Sequence, residues 1–314
     1  MHPITTILLN KENDPDKAIE SIMTLRPHQV LLGTFSPIKS KFKEVGVIEL
    51  KKDLPYNKAL NELVNLAKTD WILYIKDNES LVQFDEYVPT LLTTPKDIYG
   101  FQIMQEDVVI KEARFWNKTE NQIVFKNPVF EKLNAEPTRI INAILYQQQV
   151  SDPKINTILE SWKKSQPFST EACYYKAFAA LAQKNFKDFS LLITNYLFHA
   201  RVNDMPTVMA RYYLALVQGI VQNESREAIQ NIILCLAENP LMAEFWCLLG
   251  DIFVKKEKFK DAMVFYDNAL ILGSQRLNLD VWPMQISKYN DYPKEMVEKC
   301  KQVLASASQY RSSV

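Results

Sequence analysis

A period of 34 residues in the second half of the chain is the feature that most limits its fold. Three pairs of residues of similar size lie 34 positions apart: Tyr212 and Trp246, Ala228 and Ala262, and Cys235 and Ala269. A period of this length is typical of helical hairpins that stack side by side. From about Ser169 onward the sequence predicts one helix after another, with few strand signals.

The best-preserved unit, Ala243 to Arg276, resembles the tetratricopeptide repeat. It places large and small residues where two packed helices need them to alternate, at Trp246, Leu249, Gly250, Phe253, Ala262, Tyr266 and Ala269. Ser274 stands where the repeat usually has its closing proline. An unrelated pair of amphipathic helices is the alternative interpretation.

Two further units make about three hairpins, the minimum that such a stack needs for stability. The unit from Met209 to Met242 keeps Tyr212, Ala228 and Pro240 but has Leu216 in place of the glycine. The other lies in YYKAFAALAQKNFKDFSLLITNYL, whose FKDF is similar to the later FKDA. Stacks of this kind present a concave groove to peptides or helices, so the partner expected is a protein.

The first part of the chain alternates short apolar runs with amphipathic stretches, as an α/β layered domain requires. ITTILL, HQVLLGT, VGVIEL and WILYI are predicted strands, and helices are predicted after Asp14 and from Tyr56 to Ala67. Repeated strand–helix–strand units favour a mostly parallel sheet. After Asp97, IYGFQIM, DVVIKEARFW and QIVFKN follow without long helices and predict antiparallel additions.

These patterns predict four segments. Residues 1–133 form the α/β domain, and 134–168 form a helical connector in which RIINAILYQQ and PKINTILESWKK are the helices. Residues 169–276 form the tetratricopeptide-like hairpins. Residues 277–314 form a C-terminal tail, whose helix from Pro293 to Ala307 caps the last repeat.

Through Leu133 the order of elements resembles a family 2 glycosyltransferase with the GT-A fold. The resemblance covers about 130 residues and rests on three stretches: ITTILLNKENDPDKAIESI, LPYNKALNELVNLAKTDWILYIKDNE and ARFWNKTENQIVFKNPVFEKL. It implies an α/β domain with a mixed, mostly parallel sheet. It also implies a donor site at the end of a strand, where an Asp-x-Asp-type motif holds a divalent metal against the diphosphate of a sugar nucleotide.

This sequence departs from the family pattern at the donor-site positions, which by resemblance are Asn10, Gly33, Lys76, Asn78 and Phe130. A cation, Lys76, replaces the first acid of the metal motif, and the amide of Asn78 replaces the second. Gly33 stands where an aspartate commonly contacts the base, and Phe130 stands where a histidine can help to bind the metal. We therefore predict no metal site and no cofactor.

Retained acids support the opposite interpretation. Asp77, Glu79 and Glu131 are the candidate catalytic residues if the chain is active. Mn²⁺ or Mg²⁺ is expected only in that case, and Lys76 could itself neutralise a diphosphate. A turn that binds no ligand is the structural alternative for the Lys76 to Glu79 stretch.

Composition excludes several classes of protein. Thirty-seven basic residues balance 37 acidic ones, so no overall field favours nucleic acid or anionic membrane. No run approaches the roughly 18 apolar residues that a membrane helix needs. The four cysteines lack the spacing of a zinc site and are expected to be reduced, which predicts a cytoplasmic protein.

Two function hypotheses follow. The first is a degenerate, inactive glycosyltransferase-like protein that serves as a binding or scaffold partner in glycosylation through its repeats. Its partner would be an active glycosyltransferase or an acceptor polypeptide. The alternative is an active enzyme that transfers a sugar from a nucleotide-sugar to a protein or peptide held by the repeats.

Overall fold

The computed structural model describes residues 1–11, 13–127, 132–148, 155–166, 169–200, 204–276 and 281–312. The chain forms two compact units, Met1–Trp162 and Lys163–Val314. The first is built around a mixed sheet and the second is built from helices, which agrees with the all-α second half expected from the sequence.

The first unit contains strands β1 (His2–Asn10), β2 (Pro27–Thr34), β3 (Val45–Glu49), β4 (Trp71–Tyr74), β5 (Glu79–Phe84), β6 (Ile98–Gln105), β7 (Val108–Asn117), β8 (Phe125–Lys126), β9 (Lys132–Leu133) and β10 (Arg139–Gln147). Its helices are α1 (Asp16–Met23), α2 (Tyr56–Leu66), α3 (Val88–Leu91) and α4 (Ile155–Ser165). The main sheet has the order β3-β2-β1-β4-β7-β6-β10-β5, and β8 pairs with β9 separately.

Helices cover both faces of the sheet around β1. Ile4 and Leu8 pack with Ile19 of α1 on one face, whereas Ile7 packs with Leu60 of α2 on the other. Because both faces are covered, β1 is buried continuously from Ile4 to Asn10 and carries apolar residues without strict alternation. β1, β2, β3 and β4 pair in parallel, and β7 pairs antiparallel with β4 and β6, as expected for the strands after Asp97.

Two strands differ from the predicted element order. The segment Arg139–Gln147, predicted as a connector helix, is strand β10, and β5 was not predicted at all. In β10 the buried residues Ile141, Ala143 and Leu145 alternate with more exposed ones, which is the period of a strand and not of a helix. β10 pairs antiparallel with β5 and parallel with β6, so these two strands extend the sheet beyond the predicted one.

The second unit consists of α5 (Thr170–Ala182), α6 (Phe186–His199), α7 (Met205–Leu216), a π-helical turn (Val217–Gln222), α8 (Ser225–Glu238), α9 (Ala243–Lys255), α10 (Phe259–Gly273), β11 (Met284–Gln285), a 3₁₀ turn (Ile286–Tyr289) and α11 (Asp291–Ser312). Helices α5 and α6, α7 and α8, and α9 and α10 form three hairpins. Helix α11 packs on α10 and includes the capping helix predicted from Pro293 to Ala307.

Short polar side chains set the ends of the hairpin helices. Ser169 and Asp204 accept hydrogen bonds from the backbone N–H groups of Ala172 and Thr207, which caps α5 and α7. Residues with a left-handed backbone stand between the helices of each hairpin, at Lys184, Asn223 and Glu257. The last two of these are again 34 positions apart, so the repeat in sequence is also a repeat in backbone conformation.

The closest approach within the third hairpin is at Gly250. A Cβ atom there would lie 2.5 Å from the ring of Tyr266, so a side chain at this position would displace the ring. In the second hairpin Leu216 occupies the corresponding position, and the tight contact lies instead at Gly219, in the π-helical turn. A Cβ there would lie 2.8 Å from Ile252 of α9 and 3.2 Å from Ala228 of α8, so this contact involves the next hairpin as well as the partner helix.

We expect Gly250→Ala to destabilise the second unit by about 1–3 kcal/mol, because Tyr266 must move and overpacking costs that much. Helix propensity alone predicts the opposite sign, a gain of about 1 kcal/mol for alanine over glycine. Urea unfolding followed by far-ultraviolet circular dichroism distinguishes the two. A variant that unfolds at higher urea than the wild type would contradict the packing argument.

Candidate functional site

The turn after β4 contains the candidate residues Asp77 and Asn78, and both are used to hold neighbouring segments. Asp77 is buried, and its Oδ2 accepts a hydrogen bond of 2.6 Å from the backbone N–H of Lys11. The Asn78 side chain donates to the carbonyl of Gln148 at 2.8 Å. The Gln148 N–H donates back to the Asn78 carbonyl at 3.0 Å. The turn therefore joins the end of β1 and the end of β10.

Glu79 is completely buried and forms an ion pair with a buried arginine. Its Oε1 accepts from Arg114 Nη2 at 2.7 Å, and its Oε2 accepts from the backbone N–H of Lys76 at 2.9 Å. The same arginine nitrogen lies 2.9 Å from Glu112, and the guanidinium lies over the ring of Tyr74. Both oxygens of Glu79 are therefore already engaged within the protein, which is how a buried carboxylate is normally stabilised.

Among the other donor-site positions that the structure describes, Lys76 lies 3.8 Å from Glu79, whereas Asn10 and Gly33 belong to no cluster of metal-binding side chains. Asn10 is buried at the end of β1, and a Cβ at Gly33 would lie 2.9 Å from Leu50 and Leu63, so this glycine makes a packing contact. Phe130 and Glu131 lie outside the described residues. Within the described ranges no three His, Cys, Asp or Glu side chains are placed to hold a metal ion.

The second unit has a cavity of about 450 Å³ on the side of the hairpins formed by their first helices. It is lined by Tyr212, Leu216, Ile220, Leu248, Asp251, Val254, Gln285, Lys288, Tyr292 and Met296. Tyr212, Leu216 and Ile220 are four residues apart and form one stripe along α7 and its π turn. Lys255 of α9 donates to the carbonyls of Gly219 and Ile220 at 3.3 and 2.9 Å and holds the end of that turn.

An aspartate held by two tyrosines marks the polar end of the cavity. Asp251 Oδ1 accepts from the hydroxyls of Tyr266 and Tyr292 at 2.7 and 2.6 Å. Lys288 Nζ lies 3.8 Å from Asp251 Oδ2 and 3.2 Å from the centre of the Tyr292 ring. The charge of Asp251 is thus balanced by a cation that also contacts an aromatic face.

One wall of the cavity is the segment Met284–Tyr289, which is bound to α9 through Glu244. The two oxygens of this buried carboxylate accept from the backbone N–H of Gln285 at 2.7 Å and from the hydroxyl of Tyr289 at 2.8 Å. Arg276 lies 3.9 Å from the carboxylate and donates to the carbonyl of Trp282 at 2.6 Å. Burial raises the pKa of Glu244, and these donors oppose the shift.

Tyr212 is 6% exposed and lines the cavity, but none of the described residues forms a hydrogen bond with its hydroxyl. Burial raises the pKa of Tyr212 well above its ordinary value, so the hydroxyl keeps its proton at neutral pH. The carboxamide of Gln285 likewise has no hydrogen-bond partner in the described part of the chain. Two polar groups at this cavity thus have unused hydrogen-bonding capacity.

The residues predicted to pack the repeats lie in two hydrophobic clusters. Tyr212, Ala228 and Leu249 belong to the cluster of the second hairpin, and Ala262, Tyr266 and Ala269 belong to that of the third. Trp246 and Phe253 are partly buried beside them. Sequence analysis missed the other cavity residues, although the spacing of Leu248, Asp251 and Val254 places them on one face of α9 and was a usable signal.

No family model matches this chain. No curated protein matches it either. Matches to solved structures include the Sgt2 tetratricopeptide domain from Aspergillus fumigatus, with 17% identity and a TM-score of 0.35 over 45% of this chain and 82% of that one. MamA from Desulfovibrio magneticus RS-1 matches with 16% identity and a TM-score of 0.36, over 50% of this chain and 84% of that one.

The first tetratricopeptide domain of Spaghetti, solved with a bound HSP90 peptide, matches with 14% identity and a TM-score of 0.34. This match covers 43% of this chain and 93% of the other. The Sgt2 and Spaghetti structures are both tetratricopeptide domains. The three hairpins of the second unit agree with the repeat part of the sequence interpretation.

The GT-A fold class expected for the first unit was wrong. The solved structures that match are helical-repeat proteins, and no glycosyltransferase family model matches the chain. The sheet of the first unit ends in an antiparallel pair, β5 and β10, that the resemblance did not include.

Among the helices that the structure describes, none has both the length and the apolar composition needed to span a membrane.

We expect Arg114→Met to destabilise the first unit by about 3–5 kcal/mol, because it removes the buried cation at 2.7 Å from Glu79 and leaves only Lys76, whose Nζ is 3.8 Å away. Adding Glu79→Gln should recover part of this loss, since the uncompensated charge is then removed. The matched control is Arg139→Met, whose exposed ion pair with Asp97 should contribute at most about 1 kcal/mol. Hydrogen exchange in the peptide containing β7 measures the stability of all three variants. Equal effects of the two arginine substitutions would refute the role of Arg114 as the buried partner of Glu79.

Asp77→Asn should change how stability depends on pH. Burial raises the pKa of Asp77 above its ordinary value of 3.8, so the folded chain retains a proton that the unfolded chain releases. Stability is therefore lost as pH rises from the ordinary pKa through the raised one. Asparagine can still accept from the Lys11 N–H and has no such loss.

The stability of the Asp77→Asn variant relative to the wild type should therefore increase as the pH rises above the ordinary pKa of 3.8, from about pH 4 to about pH 7. Urea midpoints of both proteins at the two pH values measure this change. A relative stability that stays constant or falls would show that the pKa of Asp77 is not raised in the fold.

Proposed function

We propose that the second unit binds a segment of a partner protein in the groove formed by α7, α9 and α11. The observation that supports this most directly is the cavity of about 450 Å³ between these elements. Its walls combine apolar side chains with a small number of polar groups, which is the usual composition of a binding pocket. Helical-repeat stacks use the concave face of their first helices in this way.

An exposed apolar side chain at the cavity provides a driving force. Ile220 is 39% exposed at the π turn, beside the more exposed Val221. Covering such side chains with apolar atoms of a partner removes them from water, which contributes about 25 cal/mol per Å² before the entropic cost of association is subtracted. The partner segment should therefore present apolar residues to the end of α7.

The identity of the partner remains a prediction. An active glycosyltransferase or an acceptor polypeptide is the partner class that the sequence interpretation suggested, and sugar transfer by this chain was its alternative. The binding proposal itself requires neither activity. It needs no metal and no cofactor, because all the contacts it uses are made by side chains of the second unit.

Selection of a displayed peptide library on the full chain tests the proposal. Peptides enriched on the wild type should lose about tenfold or more in affinity on Ile220→Asp, since a charge would then lie in an apolar site. Ile233→Asp is the matched control, because Ile233 is exposed on α8 and does not line the cavity. Peptides that bind equally to both variants, or failure to enrich any peptide, would argue against the groove.

A further inference from the structure

The cavity has an apolar body and a polar end whose two charges balance one another. Leu216, Ile220, Leu248, Val254 and Met296 supply the apolar lining. At the other end, Asp251 and Lys288 already balance one another, and Asp251 Oδ1 is saturated by two tyrosine hydroxyls. A charged ligand group would have to lose its water and compete with this existing pair, which disfavours it.

Two neutral groups at the cavity lack partners. The Tyr212 hydroxyl can donate one hydrogen bond and accept others, and the Gln285 carboxamide offers two donors and an acceptor. Neither is hydrogen-bonded by any described residue, and Tyr212 is almost fully buried. Both groups can therefore exchange hydrogen bonds to water for hydrogen bonds to a ligand at this cavity.

The backbone of Gln285 is fixed independently of its side chain. Its N–H is bound to Glu244, whose carboxylate is buried, and this bond holds the residue at the wall of the cavity. The backbone from which the carboxamide extends is thus positioned in advance, so little backbone entropy is lost when a ligand binds it.

We propose that the cavity receives one uncharged apolar side chain of the partner segment, an inference that rests on the proposed function. The Tyr212 hydroxyl and the Gln285 carboxamide hydrogen-bond to the peptide group next to that side chain. The occupant is therefore an apolar anchor within a polypeptide backbone, as in leucine or phenylalanine. A volume of about 450 Å³ is within the range of ligand pockets and has room for such an anchor with its flanking peptide groups.

The probes are N-acetyl amino-acid amides, which carry one side chain between two peptide groups. Saturation-transfer NMR with the full chain should detect the leucine and phenylalanine forms, with dissociation constants on the order of 1 mM for ligands of this size. The lysine and aspartate forms should give no signal at the same concentration. A stronger signal from the lysine form would overturn the proposal and indicate a cation site at Asp251.

Substitutions at the polar end test the hydrogen bonds. Tyr212→Phe should weaken binding of the leucine form by about threefold or more, whereas the matched Tyr213→Phe, outside the cavity lining, should leave it unchanged. Because the Tyr212 hydroxyl has no partner to lose, the melting temperature of Tyr212→Phe should stay equal or rise. Gln285→Ala provides a second variant with the same expected loss, so the test does not depend on one substitution.

The results separate this inference from the function on which it rests. Unchanged binding of the leucine form in both variants would overturn the hydrogen-bonding role. Absence of any saturation transfer, with library peptides still sensitive to Ile220→Asp, would overturn the cavity as the anchor site but leave groove binding intact. If library peptides also bind the Ile220→Asp variant as tightly as the wild type, the proposed function itself is wrong.

Discussion

The groove depends on one buried carboxylate, that of Glu244. A carboxylate in this position has lost its water, and burial is the main cause of its raised pKa. The groups that compensate are supplied by the chain after the third hairpin: the Gln285 N–H, the Tyr289 hydroxyl and the Arg276 guanidinium. Because Glu244 needs these donors, the segment Met284–Tyr289 is held against α9 and becomes a fixed wall of the cavity.

The same constraint applies in the first unit to Glu79, an acid that the resemblance to a transferase made a catalytic candidate. Glu79 is buried at the end of a strand, and a carboxylate there must be neutralised by a ligand or by the protein. Arg114 does this from β7, at 2.7 Å. The sequence shows the acid but does not show which cation reaches it, since Arg114 is 35 positions away and becomes a neighbour only through the order β4-β7 in the sheet.

Elements that depend on local contacts were predicted correctly from the sequence, whereas elements that depend on contacts between distant residues were not. The 34-residue period predicts the hairpins because each one repeats a local pattern of large and small residues, as at Gly250 and Tyr266. Strand β10 carries its own period of two, but its apolar residues also suit a helix, and its pairing with β5 joins residues about 60 positions apart. The π turn after α7 was not predicted, and its Gly219 packs against Ile252, which is 33 positions away in the sequence.

The two candidate sites also differ in whether their polar groups have hydrogen-bond partners within the protein. At the turn after β4, both oxygens of Glu79 and one of Asp77 accept hydrogen bonds from the protein, and Asn78 exchanges bonds with Gln148. At the cavity, by contrast, the charged pair is satisfied but neutral donors and acceptors are not. These neutral groups remain available to a ligand, because no described residue forms a hydrogen bond with them. A surface that keeps them at the end of an apolar cavity is therefore better suited to bind a peptide group than the strand end is to bind a metal or a diphosphate.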